Sequence, residues 1–396
     1  MAEKSDKQMT PVIRFKGFAN AWVLRELKET AESFEYGLNA ASTDFDGTNK
    51  YIRITDIDDD SRVFKTDSLT SPDYDLSLAD NYKLKNGDIL FARTGASVGK
   101  TYRYREADEL VYFAGFLIRA RIKKDFDAEF IFQNTLTSSY INFIKITSQR
   151  SGQPGVNAQE YGSYPLFIPH RMEQQKLGGF FHIFDGLVAS VQRKLEGLKR
   201  LKKAYLQQMF PQTGETVPKV RFAEFDGLWE QYKLEELSEI TTGKLDANAM
   251  INNGVFDFYT SGIKKYKINT PAFNGPAITV AGNGATVGYM HLADGQFNAY
   301  QRTYVLTKFK VNRQFLFSEI GNKLPRKIAE EARMGNIPYI VMSMLADLEI
   351  QVPRKESEQI LIGNFFHNLD SQLSAEVEKL ELLNQLKSAF LQKMFI

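Results

Sequence analysis

The sequence predicts an α+β chain: two tandem mixed α/β, β-rich domains separated by two long helices that form an antiparallel coiled coil, with internal pseudo-two-fold duplication. Two observations carry this reading. The segment 173–210 returns over 358–395 at a constant shift of 185 positions, pairing Gln174 with Gln359, Phe181 with Phe366, His182 with His367, Asp185 with Asp370, Lys202 with Lys387 and Met209 with Met394. The stretch 11–22 is answered by 218–229, 207 positions later, so the duplication covers whole domains and not only the helices.

In chain order, each tryptophan (Trp22, Trp229) is followed by a short stretch with apolar residues at helical spacing, 27–34 and 234–240. β-rich sequence comes next. Residues 51–57 alternate like a half-buried strand, 88–92 form a short apolar run between turn residues, and 111–122 is a third strand candidate. A helix is expected over 126–146, and 164–169 reads as an edge strand because its prolines cannot donate to a ladder. The second half repeats the order with strands at 255–259, 277–281 and 300–309, a helix over 312–320 and a closing strand over 348–353.

The repeated segments read as helices. Val188, Val191, Leu195, Leu198, Tyr205 and Met209 follow alternating three- and four-residue steps if Lys202 takes one step, and Leu373, Val377, Leu380, Leu383, Leu386 and Phe390 do the same in the second copy. Each segment of 38 residues spans about 57 Å as a helix. A lone helix of that length cannot bury its own stripe, so its copy is the economical partner. Gly178-Gly179 near the start and Pro211 after the end mark the expected boundaries.

Composition narrows the chemistry. A 396-residue chain, 43% apolar and 25% charged, has the make-up of a globular protein with two or three cores. Its net charge of +2 says little, yet residues 171–211 carry 8 Lys and Arg against 3 Asp and Glu, which makes the central repeat the basic segment. The absence of cysteine excludes disulfides, thiolate metal sites and cysteine nucleophiles. A polar start and no apolar run of membrane-spanning length point to a cytoplasmic protein with no membrane partner.

Gly95-Ala96-Ser97-Val98-Gly99-Lys100-Thr101 is a near miss for a phosphate-binding loop, with three residues between its glycines where four are needed to wrap a phosphate. The internal repeat argues against that role. Shifted by 189, the same frame reads Gly282-Asn283-Gly284-Ala285-Thr286-Val287-Gly288 and continues with Tyr289 and Met290 in place of the Lys-Thr pair. A structural turn that presents Arg93, Thr94, Ser97 and Lys100 outward, with Asn283 and Thr286 at the matching turn, is the expectation. His182 and His367 lack metal-ligand spacing and sit in Phe-rich sequence, which favours buried packing. The acidic run Asp56, Asp58, Asp59, Asp60 lacks the glycine and distal glutamate of a calcium loop and reads as a solvated turn. Neither a Gly-x-Ser-x-Gly elbow nor the Pro-Pro of an amino-methyltransferase signature is present.

Two polar loops are more informative. Gln149, Arg150 and Gln153 precede the last strand of the first half, and Arg333 and Asn336 precede that of the second. Arg, Gln and Asn make bidentate contacts to base edges, and loops on a β scaffold can reach a major groove. Arg103 and Arg105, with Lys264, Lys265 and Lys267, add basic residues interleaved with aromatics. Equivalent placement in two diverged copies is what raises them above ordinary solvated loops.

The Pro-x-x-Arg-Phe-x-x-Phe-x-x-x-Trp openings, the Thr-Gly-Ala-Ser-Val-Gly-Lys and Asn-Gly-Ala-Thr-Val-Gly turns, the Pro-x-x-x-Glu-Gln helix starts and the Leu-Lys-x-Ala-x-Leu-Gln-x-Met-Phe ends resemble the specificity subunit of a type I restriction-modification enzyme over essentially the whole chain. The resemblance implies a first target-recognition domain over 1–170, a central conserved helix over 171–212, a second recognition domain over 213–353 and a C-terminal conserved helix over 354–396. It further implies a non-catalytic protein that reads a split sequence in double-stranded DNA, with the helices setting the distance between the halves. Its partners would be two modification (methyltransferase) subunits and restriction (translocase/nuclease) subunits. S-adenosylmethionine, ATP and Mg would belong to those partners, and no cofactor or metal to this chain. In this reading Gln149, Arg150 and Gln153 read one half-site, Arg333 and Asn336 the other, while Arg93, Lys100, Lys264 and Lys265 position phosphates. A coiled-coil adaptor that holds proteins without touching DNA is the alternative from another class.

Overall fold

The computed structural model describes residues 10–331 and 338–396. The chain divides into two compact units, one comprising the chain up to Arg193 together with Glu378–Ile396 and the other Lys194–Val377. Neither unit is continuous with the expected recognition domains alone, because each contains part of both long helices.

In the first unit the apolar run Asp88–Ala92, buried along its whole length, becomes a central strand of a four-stranded antiparallel sheet between Leu117–Ile122 and Thr101–Arg103, with Ala31–Tyr36 at the outer edge. The second unit repeats this order with Glu239–Thr242, Thr303–Thr307, Ala277–Ala281 and Met290–Ala293. The proline-bearing edge strand Pro165–Ile168 pairs with Val23–Glu26, and Glu349–Val352 pairs with Glu230–Lys233. A parallel pair recurs as well, Lys50–Ile52 with Val111–Phe113 and Phe256–Tyr259 with Gln296–Ala299.

Several elements are shorter than their sequence pattern suggests. The expected strand over 111–122 is two strands, since the Leu117 amide donates to the Ala114 carbonyl at 2.9 Å and closes a tight turn at Gly115-Phe116. The expected helix over 126–146 breaks into Ala128–Asn134 and Ser138–Thr147, where the Thr137 hydroxyl caps the second piece. Its counterpart continues as one helix, Arg313–Glu331. The short apolar stretches after the tryptophans are single helical turns, Leu27–Thr30 and Leu234–Leu237, each followed by a strand.

The two long helices, Arg171–Met209 and Glu356–Met394, have 39 residues each. Their pairing is antiparallel within each unit. In the first, Asp185 pairs with Lys387 and Phe180 meets Phe390 with ring centroids 5.3 Å apart. In the second, Lys202 pairs with Asp370 and Tyr205 meets Phe365 at 5.0 Å. Val188, Val191, Leu195 and Met209 are buried as the stripe requires, but Val377 and Leu386 are 38% and 40% exposed. Lys387 and the buried Glu376 take the inward positions beside them, each in an ion pair with the facing helix. Gly178 is no boundary, because the helix begins at Arg171. A Cβ there would lie 2.5 Å from Asp127 Oδ1, and one on Gly363 would lie 2.7 Å from the Phe315 amide. These glycines let the long helices pass close to the starts of the shorter ones.

The motif arginines explain how each opening strap is held. Arg14 donates two bonds to Glu173, at 2.6 and 2.7 Å, and Arg221 two to Glu358, at 2.7 and 2.9 Å. Both glutamates are buried, and bidentate guanidinium pairing is what makes that burial tolerable. Gln174 and Gln359 play matched roles, accepting from the Asp127 and Asn312 amides and donating to the Pro169 and Pro353 carbonyls. The buried residues are Phe181 and Phe366, whereas His182 and His367, expected to pack inside, lie exposed on the neighbouring face one position further on.

Candidate nucleic-acid interface

In the first unit three loops converge at the Ala92 end of the central strand. The turn after Ala92 is shaped by Gly95 and Gly99 at φ +72° and +85°, with the Val98 amide donating to Gly95 O at 3.1 Å and Gly99 N to Ala92 O at 3.0 Å. A Cβ on Gly99 would lie 2.6 Å from Ile144, so both backbone conformation and space demand glycine there. The loop 149–157 lies along this turn. Gly95 N donates to Pro154 O at 3.0 Å and Val156 N to Arg93 O at 2.9 Å. From the helix Ala158–Gly162 that follows this loop, the Tyr161 hydroxyl bridges the two ends of the turn, donating to Ala92 O at 2.6 Å and accepting from Gly99 N at 3.0 Å. The third loop is the turn at Gly115-Phe116, whose Phe116 carbonyl accepts from Arg93 N at 3.1 Å while Gly115 N donates to Leu38 O at 2.8 Å. Beside it a cavity of about 570 Å³ is lined by Tyr36, Asn39, Arg53, Arg93 and Phe116. Arg93 lies 4.9 Å over the Tyr36 ring, and Asp56 holds the Arg53 guanidinium by two bonds of 2.8 and 2.9 Å.

The second unit builds the same junction. Gly284 and Gly288 have φ +88° and +84°, Val287 N donates to Gly284 O at 3.1 Å, and Gly288 N donates to Ala281 O at 2.7 Å. Gly284 N reaches Pro338 O at 2.9 Å and Ile340 N reaches Gly282 O at 2.9 Å, matching the contacts of Pro154 and Val156. Gly282 N donates to Arg302 O and Gln301 N to Leu245 O, both at 2.8 Å. A hairpin loop carrying Ser261 and Gly262 is added here. The Ser261 hydroxyl donates to Asn283 Oδ1 at 2.5 Å, the Thr286 hydroxyl donates to the Ser261 carbonyl, and His291 Nε2 lies 3.2 Å from Gly262 O. Burial lowers the His291 imidazole from its usual value, which favours the neutral ring. Burial likewise pushes the Tyr259 phenol up to about 12, and Lys265 lies 5.7 Å over that ring.

The predicted residues fall into separate groups in this geometry. Arg93, Thr94 and Ser97 on the turn and Gln149, Arg150 and Gln153 on the adjoining loop come together, with Thr94 bridged to Gly155 and the Gln153 amide lying against Gly95. Arg150 is only partly free, since it donates to the Thr147 and Gln149 carbonyls and pairs with Glu160. Lys100, expected to point outward, is buried instead. Its ammonium donates to Ile57 O at 3.2 Å and pairs with Asp59, whose carboxyl is lowered by that bond. Arg103 faces Glu129 at 2.7 Å in the interior, and Arg105 follows at the Asp88 end of the central strand, where Tyr104 N donates to Asp88 O. Neither belongs to the junction. Asn283 and Thr286 hold the added hairpin loop, which exposes Lys264 and Lys265, whereas Lys267 pairs with Asp257 at 2.8 Å. Arg333 and Asn336 lie outside the described residues. Sequence reasoning missed Tyr36, Phe116, Gln301 and Arg302, which enter the junction from strands and turns distant in the chain. The matching positions of 114–117 and 300–303 in the duplication are the signal that would have found them. Among the described residues no group of acidic and histidine side chains could hold a metal ion, and no helix is long and apolar enough to cross a membrane.

The description "Type I restriction modification DNA specificity domain" fits this chain twice, over residues 20–200 and 227–388. The chain belongs to that family. Among its relatives, the specificity subunit of the type I restriction enzyme EcoDI from Escherichia coli is 36% identical to this specificity-domain protein over 164 residues, 41% of this chain and 36% of that one. The MjaVIII specificity subunit of Methanocaldococcus jannaschii is 21% identical over 282 residues, 62% of this chain and 64% of its own. Both matches span less than two thirds of the relative's length. The crystal structure of a type-I restriction-modification S subunit from M. genitalium superposes with a TM-score of 0.72 at 14% identity, covering 98% of this chain and 99% of that one. That likeness establishes a shared fold.

Proposed function

We propose that this chain is the DNA-reading subunit of a type I restriction-modification complex, in which each unit recognises one short half of a bipartite duplex target. One observation carries the reading: the same three-loop junction, held by the same backbone hydrogen bonds, occurs in both units with different side chains on its outer surface. A scaffold kept constant while its exposed residues diverge is what reading two different half-sites demands. Arg93, Lys264 and Lys265 supply phosphate contacts, and Gln149, Arg150 and Gln153 reach base edges in the first half-site. Such binding weakens steeply with salt, because phosphate contacts release counterions.

The chain contributes recognition, and chemistry falls to its partners. Modification subunits bring S-adenosylmethionine and methylate adenine; restriction subunits bring ATP and Mg. The complex acts in the cytoplasm, where its DNA target lies. Methylome sequencing of a host with and without this chain tests the proposal. One bipartite methyladenine motif should disappear with the chain, and an unchanged set of motifs would overturn it in favour of a protein-holding adaptor.

A further inference from the structure

Phe116 and Arg302 occupy the same place in the two junctions. Each is the third residue of a four-residue turn closed by a backbone bond, Leu117 N to Ala114 O at 2.9 Å and Thr303 N to Tyr300 O at 2.8 Å. The preceding residue donates to a leucine carbonyl in both, Gly115 to Leu38 and Gln301 to Leu245, and that leucine forms a parallel bridge with the first residue of the turn. The carbonyls of Phe116 and Arg302 then accept from Arg93 and Gly282 at the start of the glycine turn. Four backbone contacts pin the position, so its side chain projects from a rigid base in each unit.

The side chains differ completely. Phe116 is 61% exposed beside Tyr36, itself 44% exposed with Arg93 over its ring. A lone exposed apolar residue is unremarkable, but a phenylalanine and a tyrosine that line one cavity together with Arg93 form a contact surface. Arg302 is exposed and makes no ion pair with any described residue, next to the equally exposed Gln301. A guanidinium on a pinned backbone that pairs with no described acid suits the two acceptors of a guanine in the major groove, whereas a phenyl ring suits a thymine methyl.

The geometry points to Phe116 and Arg302 as specificity-determining residues: an equivalent position that reads by apolar contact in the first half-site and by a forked hydrogen bond to guanine in the second. This rests on the DNA-reading function proposed above. The test selects bound duplexes from a pool of randomised sequence, using the full chain assembled with its modification subunits. The unaltered chain should select a bipartite motif. Arg302→Ala should lower the preference for one guanine about tenfold in one half only, and Phe116→Ala should relax a single position in the other half. Arg302→Gln replaces the fork by an amide whose oxygen and nitrogen fit adenine N6 and N7, so it should shift that position from guanine toward adenine. A bipartite motif that all three variants select unchanged, or an undiminished guanine preference in Arg302→Gln, would overturn the assignment and leave the DNA-reading function standing. No motif from the unaltered chain would overturn both.

Discussion

Glu319 is buried on the helix Arg313–Glu331 of the second unit, at the position that Asn134 occupies in the first. The two differ by a methylene in length and by the charge that a carboxyl can carry. Burial pushes the Glu319 carboxyl up to about 7 from its ordinary 4.5, and Lys323, 3.2 Å away, only partly offsets that. Between those values the folded protein holds a proton that the unfolded chain has released, so this group makes stability fall as pH rises through the window. Glu319→Gln should flatten that decline, which urea unfolding at about pH 5 and about pH 8 would measure. An unchanged slope would mean that Lys323 keeps the carboxylate charged throughout. At this scale the sequence marked Arg14 and Arg221 as matched positions of a repeated motif, while the glutamates they hold are seen only in the fold. The sequence was opaque for Lys100, because a lysine in a glycine turn can face a phosphate or an aspartate, and only the fold brings Asp59 beside it.

The long helices show how elements carry meaning that their own sequence does not contain. The Met-Phe end of the first helix belongs to the second unit, where Phe210 meets Trp229 at 6.1 Å and Phe315 at 5.6 Å. The matching end of the second helix belongs to the first unit, where Phe395 meets Trp22 at 6.3 Å and stacks on Phe130 at 5.3 Å. Truncating either phenyl ring should cost about 3–5 kcal/mol. The effect should be crossed: Phe395→Ala loosens the first unit, and Phe210→Ala the second. Limited proteolysis with mapping of the cut positions would read this directly. Cuts appearing in the unit that lacks the contact would contradict the packing. Helix length and antiparallel pairing were legible from the repeat, but the inward-facing residues were not fully so. An apolar stripe does not say where a facing acid will admit a lysine, which is why Leu386 yields the interior to Lys387.

At the scale of the whole molecule, the first unit is completed by residues that follow the second in the chain. Its core contains Leu391, Met394 and Phe395 alongside Trp22, Phe130 and Phe181. A fragment ending at Arg193 should therefore fold poorly alone, and gain a cooperative thermal transition when residues 378–396 are supplied as a separate peptide. A fragment that melts cooperatively without the peptide would show that the shared helix is dispensable. The sequence by itself determined the duplication, the element order, the basic long helix and the family, because repeats and motif spacings are written along one dimension. Tertiary structure alone decided which copy of a helix completes which core, and that Phe116 and Arg302 stand at the same point of two loop junctions. The first depends on ring packing between residues far apart in the chain, and the second on backbone hydrogen bonds that almost any residue can make and that therefore constrain the sequence only weakly.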